Sequence, residues 1–299
     1  MLFFWSFDIK KLILLTLILS CSKDKDRLDP IPAVRLPELK EAFDTKQVKA
    51  LEIRDSATGW LTFSDCDAMI WAGKYACSLG EASTVNLRAS EYPEQPGRFD
   101  RRPAPFCWTK ELGDQGSKTT WSRDMGIAGL IPGAFCSKNL KILEDHAAFG
   151  ESKQWDMGEP VADGRGVYSP GVIGILYSAI KYLGGQDNPK KNLPSLYFPG
   201  LDDYQAHLQM MDIWIKGEMK ESISAGMRDR IKEHYKREPE CPLYSYLDGI
   251  YSGSQEKTVE LLLGSNEPKC SYLRGSEKEK IDLSEWLFVA NLTIIQLEK

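Results

Sequence analysis

The sequence predicts an all-α protein of stacked helical hairpins, closing into an (α/α) toroid or partial toroid with long ordered loops. Three observations carry that expectation. Nearly every periodic segment has the apolar spacing of a helix, alternating strand patterns are nearly absent, and three helices begin alike. Phe63-Ser64, Trp121-Ser122 and Tyr168-Ser169 each open an apolar stretch, at intervals of 58 and 47 residues. Recurring starts suggest hairpins that close on themselves or stack as a solenoid; an irregular helical domain fits the same pattern.

The N-terminus reads as an export signal. Lys10 and Lys11 precede a run from Leu12 to Leu19 that is apolar except for Thr16, and Ser20 and Cys21 follow. A basic patch, a short apolar run and a small residue make a secretory signal, and this run is shorter than the roughly 20 apolar residues that span a bilayer. Ile18-Leu19-Ser20-Cys21 resembles a bacterial lipobox, which implies that Cys21 is lipidated and becomes the mature N-terminus. A plain signal peptide cut elsewhere, or a short anchor, is the alternative. Ser22 rather than Asp after Cys21 favours the outer membrane, by analogy with enteric sorting. The expected organisation is a signal over 1–20, a charged, proline-bearing tether over 21–36, and one helical domain over 37–299.

Within that domain helices are expected near 37–54, 65–80, 122–136, 138–150, 170–183, 203–220, 222–237, 255–264 and 284–297. The clearest is the one after Ser169, with apolar residues at 172, 173, 176, 177, 180 and 183 on one stripe. Ser169 suits its N-cap, Pro170 its first turn and Gly184-Gly185 its stop. Between the helices, Tyr92–Thr120 reads as a long ordered loop folded over them, and Gly158–Pro170 as a second loop rich in turn residues and charge.

Hydrophobic residues make up 42% of the chain and charged residues 27%, which excludes a disordered chain, a collagen-like fibre and a polytopic membrane protein. The net charge of −5 argues against a nucleic-acid partner, which needs a basic footprint. With Cys21 set aside, six cysteines remain, an even number that suggests up to three disulfides in an exported chain. Fifteen connectivities are open. Cys66 and Cys77 sit roughly 16 Å apart along one expected helix and cannot bond each other. Cys241 and Cys270 flank a helical hairpin that a disulfide between them closes. There is no C-x-x-C, and the three histidines, His146, His207 and His234, do not cluster, so no metal or other cofactor is expected. Dinucleotide, P-loop, zinc-protease and EF-hand patterns are absent.

The segments SDCDAMIWAGKYACSLGE, GRFDRRP, TTWSRDMGIAGL and SPGVIGILY follow one another over residues 60–185. In this order they resemble helical-toroid proteins of the six-hairpin glycosidase type and their phage and bacterial relatives. The resemblance implies that the Ser-Arg-Asp at a helix start, with its flanking aromatic, faces a central pocket. On that reading Asp124 is a pocket carboxylate, Arg123 its orienting partner and Trp121 a sugar platform. The structural alternative is that Ser122 caps a helix and Asp124 pairs with Arg101 or Arg102. Ser64 and Asp67 likewise fit a capping box, while Asp67 and Trp71, four apart, share a helix face as a carboxylate beside a ring.

Asp67 and Asp124 are the preferred catalytic pair, since glycoside hydrolysis needs two carboxylates. Trp71, Trp121, Arg123, Arg102 and Asp163 are the candidate substrate contacts, with Asp65 and Glu81 in reserve. The functional expectation is a lipid-anchored envelope protein with a carbohydrate-binding or glycoside-hydrolase-like pocket, taking a polysaccharide or peptidoglycan. A non-catalytic envelope scaffold is the competing expectation, and a lyase using Tyr168 and Arg165 a third. His207 reads as an ordinary helix residue.

Overall fold

The computed structural model describes residues 35–52, 68–79, 92–99, 121–157, 166–194, 203–265, 267–273 and 278–299. All of them fall in one contact unit, Val34–Lys299. Ten helices run through them: α1 (Leu36–Glu52), α2 (Ala68–Leu79), α3, α4 (Leu140–Ser152), α5 (Pro170–Tyr182), α6 (Asp203–Glu218), α7 (Ala225–Arg237), α8 (Pro242–Ser252), α9 (Glu256–Gly264) and α10 (Lys278–Leu297). α3 joins Arg123–Met125, a π-helical turn Gly126–Leu130 and Ile131–Cys136. Among the described residues no strand forms, only one antiparallel bridge between Asp156 and Val167. The protein is all-α, as its periodicity predicts.

α10 is the centre. Its residues 281–290 are buried without a break, the pattern of a helix covered on every side. α2 packs along it most closely, α1 lies beside both α10 and α9, and the successive pairs α4–α5, α7–α8 and α8–α9 are neighbours in space. α2 also lies against α3. A Cβ on Gly73 would stand 2.1 Å from the Gly129 carbonyl oxygen, so the two backbones touch and only glycine fits. One turn along α2 the Cys77–Cys136 disulfide bonds the same two helices. The Cys241–Cys270 disulfide closes the α8–α9 hairpin, the pairing that the sequence suggested. Cys21, Cys66 and Cys107 lie outside the described residues.

The helix ends correct several local expectations. Ser169 and Ser122 stand at the N-cap positions of α5 and α3 in extended backbone, but neither hydroxyl caps its helix. Asn139 and Ser224 do cap, accepting from the Ile142 and Met227 amides. α8 is the first arm of the helical hairpin expected between Cys241 and Cys270, although its Tyr- and Ser-rich sequence PLYSYLDGIYS is weakly helical by propensity. Its punctuation is nonetheless regular, with Pro242 in the first turn and Gly253 left-handed at φ 87° beyond the end. The π turn in α3 has a sequence cause too. Pro132 has no N–H for the Ala128 carbonyl, and just before it the ladder lengthens, Ile131 N–H reaching Gly126. No described helix is long and apolar enough to cross a membrane.

Candidate functional site

The start of α3 gathers the most chemistry. Three segments meet there: the turn at 92–99, the end of α4 with its following turn, and the residues before α5. After α4 the chain turns through Gln154 and Trp155, both at positive φ, and pairs with the strand-like residues before α5. The Tyr168 amide donates to the Trp155 carbonyl at 2.8 Å, which fixes where the Tyr168 ring emerges. The phenol then reaches α3, where a Cβ on Gly126 would stand 2.0 Å from its oxygen.

A relay of hydrogen bonds runs through this ring. The Trp121 indole N–H donates to Tyr168 Oη at 2.8 Å, and His146 Nε2 lies 2.8 Å from the same oxygen. His146 Nδ1 is 2.8 Å from the Gly97 carbonyl, which only accepts. Nδ1 therefore carries the proton, Nε2 accepts from the Tyr168 hydroxyl, and that hydroxyl accepts from Trp121. Each donor in this relay thus has its acceptor. Phe99 packs at 5.8 Å on Trp121 and edge-on to His146, and Trp155 stacks on Tyr168. Burial drives the His146 pKa down to about 4, so the ring is neutral at physiological pH. Burial also raises the Tyr168 phenol, against the Trp121 hydrogen bond and with the help of Asp124. It serves as a hydrogen-bonding hydroxyl, not as the phenolate base a lyase would use.

At the edge of this relay stand Arg123 and Asp124. Arg123 Nε is 3.6 Å from Asp124 Oδ1, and their side chains are 39% and 25% exposed. Trp121 is 1% exposed and Trp71 2%, so both rings are core residues rather than surfaces open to solvent. Trp71 on α2 packs instead towards His207, at 6.3 Å, away from the relay's hydrogen bonds. The structure thus brings Trp121, Arg123 and Asp124 together. Asp67, Arg102 and Asp163 lie outside the described residues, as do Asp65, Glu81 and Arg165, so the Asp67–Asp124 separation is not defined.

No family model, curated protein or solved structure matches the chain. Its chemistry is therefore read from its own residues.

Two clusters escaped the sequence reading. His146 and Tyr168 were not paired, because nothing in spacing shows that residues 22 apart share a hydrogen bond. The second cluster is in the core. Lys74 of α2 is ion-paired with Glu285 of α10, both side chains fully buried, and the Tyr272 hydroxyl donates to the other carboxylate oxygen at 2.7 Å. Lys74 Nζ also stands over the rings of Trp71, Tyr272 and Phe288. His207 stacks on Tyr272 at 4.1 Å, and burial, then the Lys74 charge, keep it neutral. Part of the signal was present: Lys74 is a single charge inside an apolar run, whereas Glu285 follows the charged stretch 278–282. Lys216 is mostly buried and paired with Asp212 at 3.0 Å. Among the described residues no group of His, Cys, Asp or Glu is arranged to hold a metal.

Proposed function

We propose that the chain is an exported, lipid-anchored cell-envelope protein that binds a polysaccharide at the start of α3. The observation that carries this reading is the Arg123–Asp124 pair, part-exposed and backed by the buried Trp121–Tyr168–His146 relay. A rigid shell behind a charged, accessible pair is how binding sites are pre-organised. The adjoining π turn supports it, since such turns recur at functional sites. Arg123 and Asp124 donate to and accept from sugar hydroxyls. Trp121 acts from behind, holding the helix start, rather than stacking on a sugar.

Two disulfides and the Ile18–Cys21 signal support export to an oxidising compartment, with the acyl chains on Cys21 as anchor and the outer membrane as destination. The closed or partial toroid belongs to the same proposal, supported by the neighbouring packing of α3–α4, α4–α5, α7–α8 and α8–α9. Hydrolysis requires that Asp67 approach Asp124 to within about 10 Å. The scaffold reading keeps one observation in its favour, the burial of both candidate platform rings.

An array of bacterial envelope glycans probed with the purified chain tests the proposal. Saturable binding to a defined glycan class that is lost in Arg123→Ala is the expected result. An array without any retained glycan would leave the scaffold reading in its place.

A further inference from the structure

A cavity of about 150 Å³ opens between the ends of α6, α8 and α10, and it shares no residue with the α3 site. Its wall carries Trp214, Tyr246 and Tyr251, with the Glu218 carboxylate and, at the mouth, the exposed Lys220 and Lys299. The geometry points to a binding site for a small zwitterion that joins an alkylated ammonium to an anionic group, as phosphocholine does.

Four features carry this. First, a volume of about 150 Å³ takes a group about the size of benzene, and a trimethylammonium head is of that size. Second, aromatic faces beside a carboxylate are the chemistry that holds such a cation, through ring quadrupole and charge together. Tyr251 lies beside α6, its hydroxyl 3.8 Å from where a Cβ on Gly217 would stand. Burial, then Glu218 and then Tyr251, raise the Tyr246 phenol, so these groups lie close to one another. Glu218 has no ion pair among the described residues, which leaves its charge for a ligand.

Third, the Trp214 indole N–H is buried and has no hydrogen-bond partner among the described residues, a donor left for a ligand oxygen. Fourth, Lys220 sits at φ 59°, a left-handed position where glycine or asparagine is usual. Lys220 lines the cavity and is exposed, so its cation is available at the mouth for a ligand's anionic end. The cation-only and anion-only alternatives each leave one of these charges unanswered.

Calorimetric titration of the purified full-length chain with phosphocholine tests the proposal, with tetramethylammonium and inorganic phosphate as half-ligands. Phosphocholine should bind at least tenfold more tightly than either half. Glu218→Gln should weaken it at least tenfold and Lys220→Met severalfold, with the melting temperature unchanged; Asp124→Asn should leave it as it was. Phosphatidylcholine vesicles distinguish the source: binding competed by phosphocholine indicates a lipid headgroup, and binding of the free ligand alone indicates a solute. No heat of binding up to 10 mM phosphocholine, or equal affinity in Glu218→Gln, would overturn it.

Discussion

Lys74 on α2 and Glu285 on α10 meet as a salt bridge to which water has no access. Burial pulls the Lys74 pKa down and Glu285 pulls it back up, so the ammonium depends on its partner. Removing one member leaves a buried charge uncompensated, whereas removing both with apolar residues of similar volume is far milder. Lys74→Met should therefore destabilise by about 3–5 kcal/mol, and Lys74→Met with Glu285→Leu by less than half of that. Urea unfolding followed by circular dichroism reads both, and a double variant as unstable as the sum of the singles would refute the coupling.

His146 gives stability a pH dependence. Its folded pKa is about 4 against an ordinary 6.5, so between those values the unfolded chain binds a proton that the folded one does not. Stability is then full above about pH 6.5 and falls as pH drops towards 4, by about 3 kcal/mol in all. His146→Gln should flatten that part of the stability profile. An unchanged slope in the variant would place the titration elsewhere.

Tyr168→Phe tests the relay itself. It leaves the Trp121 N–H and His146 Nε2 without the oxygen that both use. An unsatisfied buried polar group costs about 1–3 kcal/mol, so a loss of about 2–4 kcal/mol is expected for the pair. A loss under about 0.5 kcal/mol would show that water or another group substitutes.

The disulfides are expected to hold the fold. Cys77–Cys136 spans 59 residues and Cys241–Cys270 spans 29. Replacing either pair with serine should cost about 2–5 kcal/mol, and mass spectrometry of the oxidised, proteolysed protein should recover both cross-links. Recovery of Cys77 or Cys241 as free thiols would contradict the pairing.

Much of the fold was legible because it is local. Caps, proline starts and apolar stripes set α4, α5, α7 and α9 near their expected ends. α8 had no bounds in the sequence beyond the hairpin between Cys241 and Cys270, because its tyrosines pack well yet favour helices weakly, so tertiary burial decided it. The candidate site was only partly legible. Trp121, Arg123 and Asp124 adjoin in sequence and meet in space, but Trp121 and Trp71 looked like platforms because a ring's burial cannot be read from its identity. The relay through His146 and the Lys74–Glu285 pair link residues 22 and 211 apart. No local pattern encodes such pairings; only Lys74, alone in its apolar run, hints that a partner exists.

Asp124→Asn bears most directly on polysaccharide binding at α3. The side chain is part-exposed and its loss should change stability by under about 1 kcal/mol. Cosedimentation of wild type and variant with purified peptidoglycan sacculi and with capsular polysaccharide compares their affinities at equal folded concentration. Retention of the wild type, with at least tenfold weaker retention of Asp124→Asn at an unchanged melting temperature, is the expected result. Equal retention of the two proteins, or retention of neither on any envelope polysaccharide, would contradict a glycan site at Asp124.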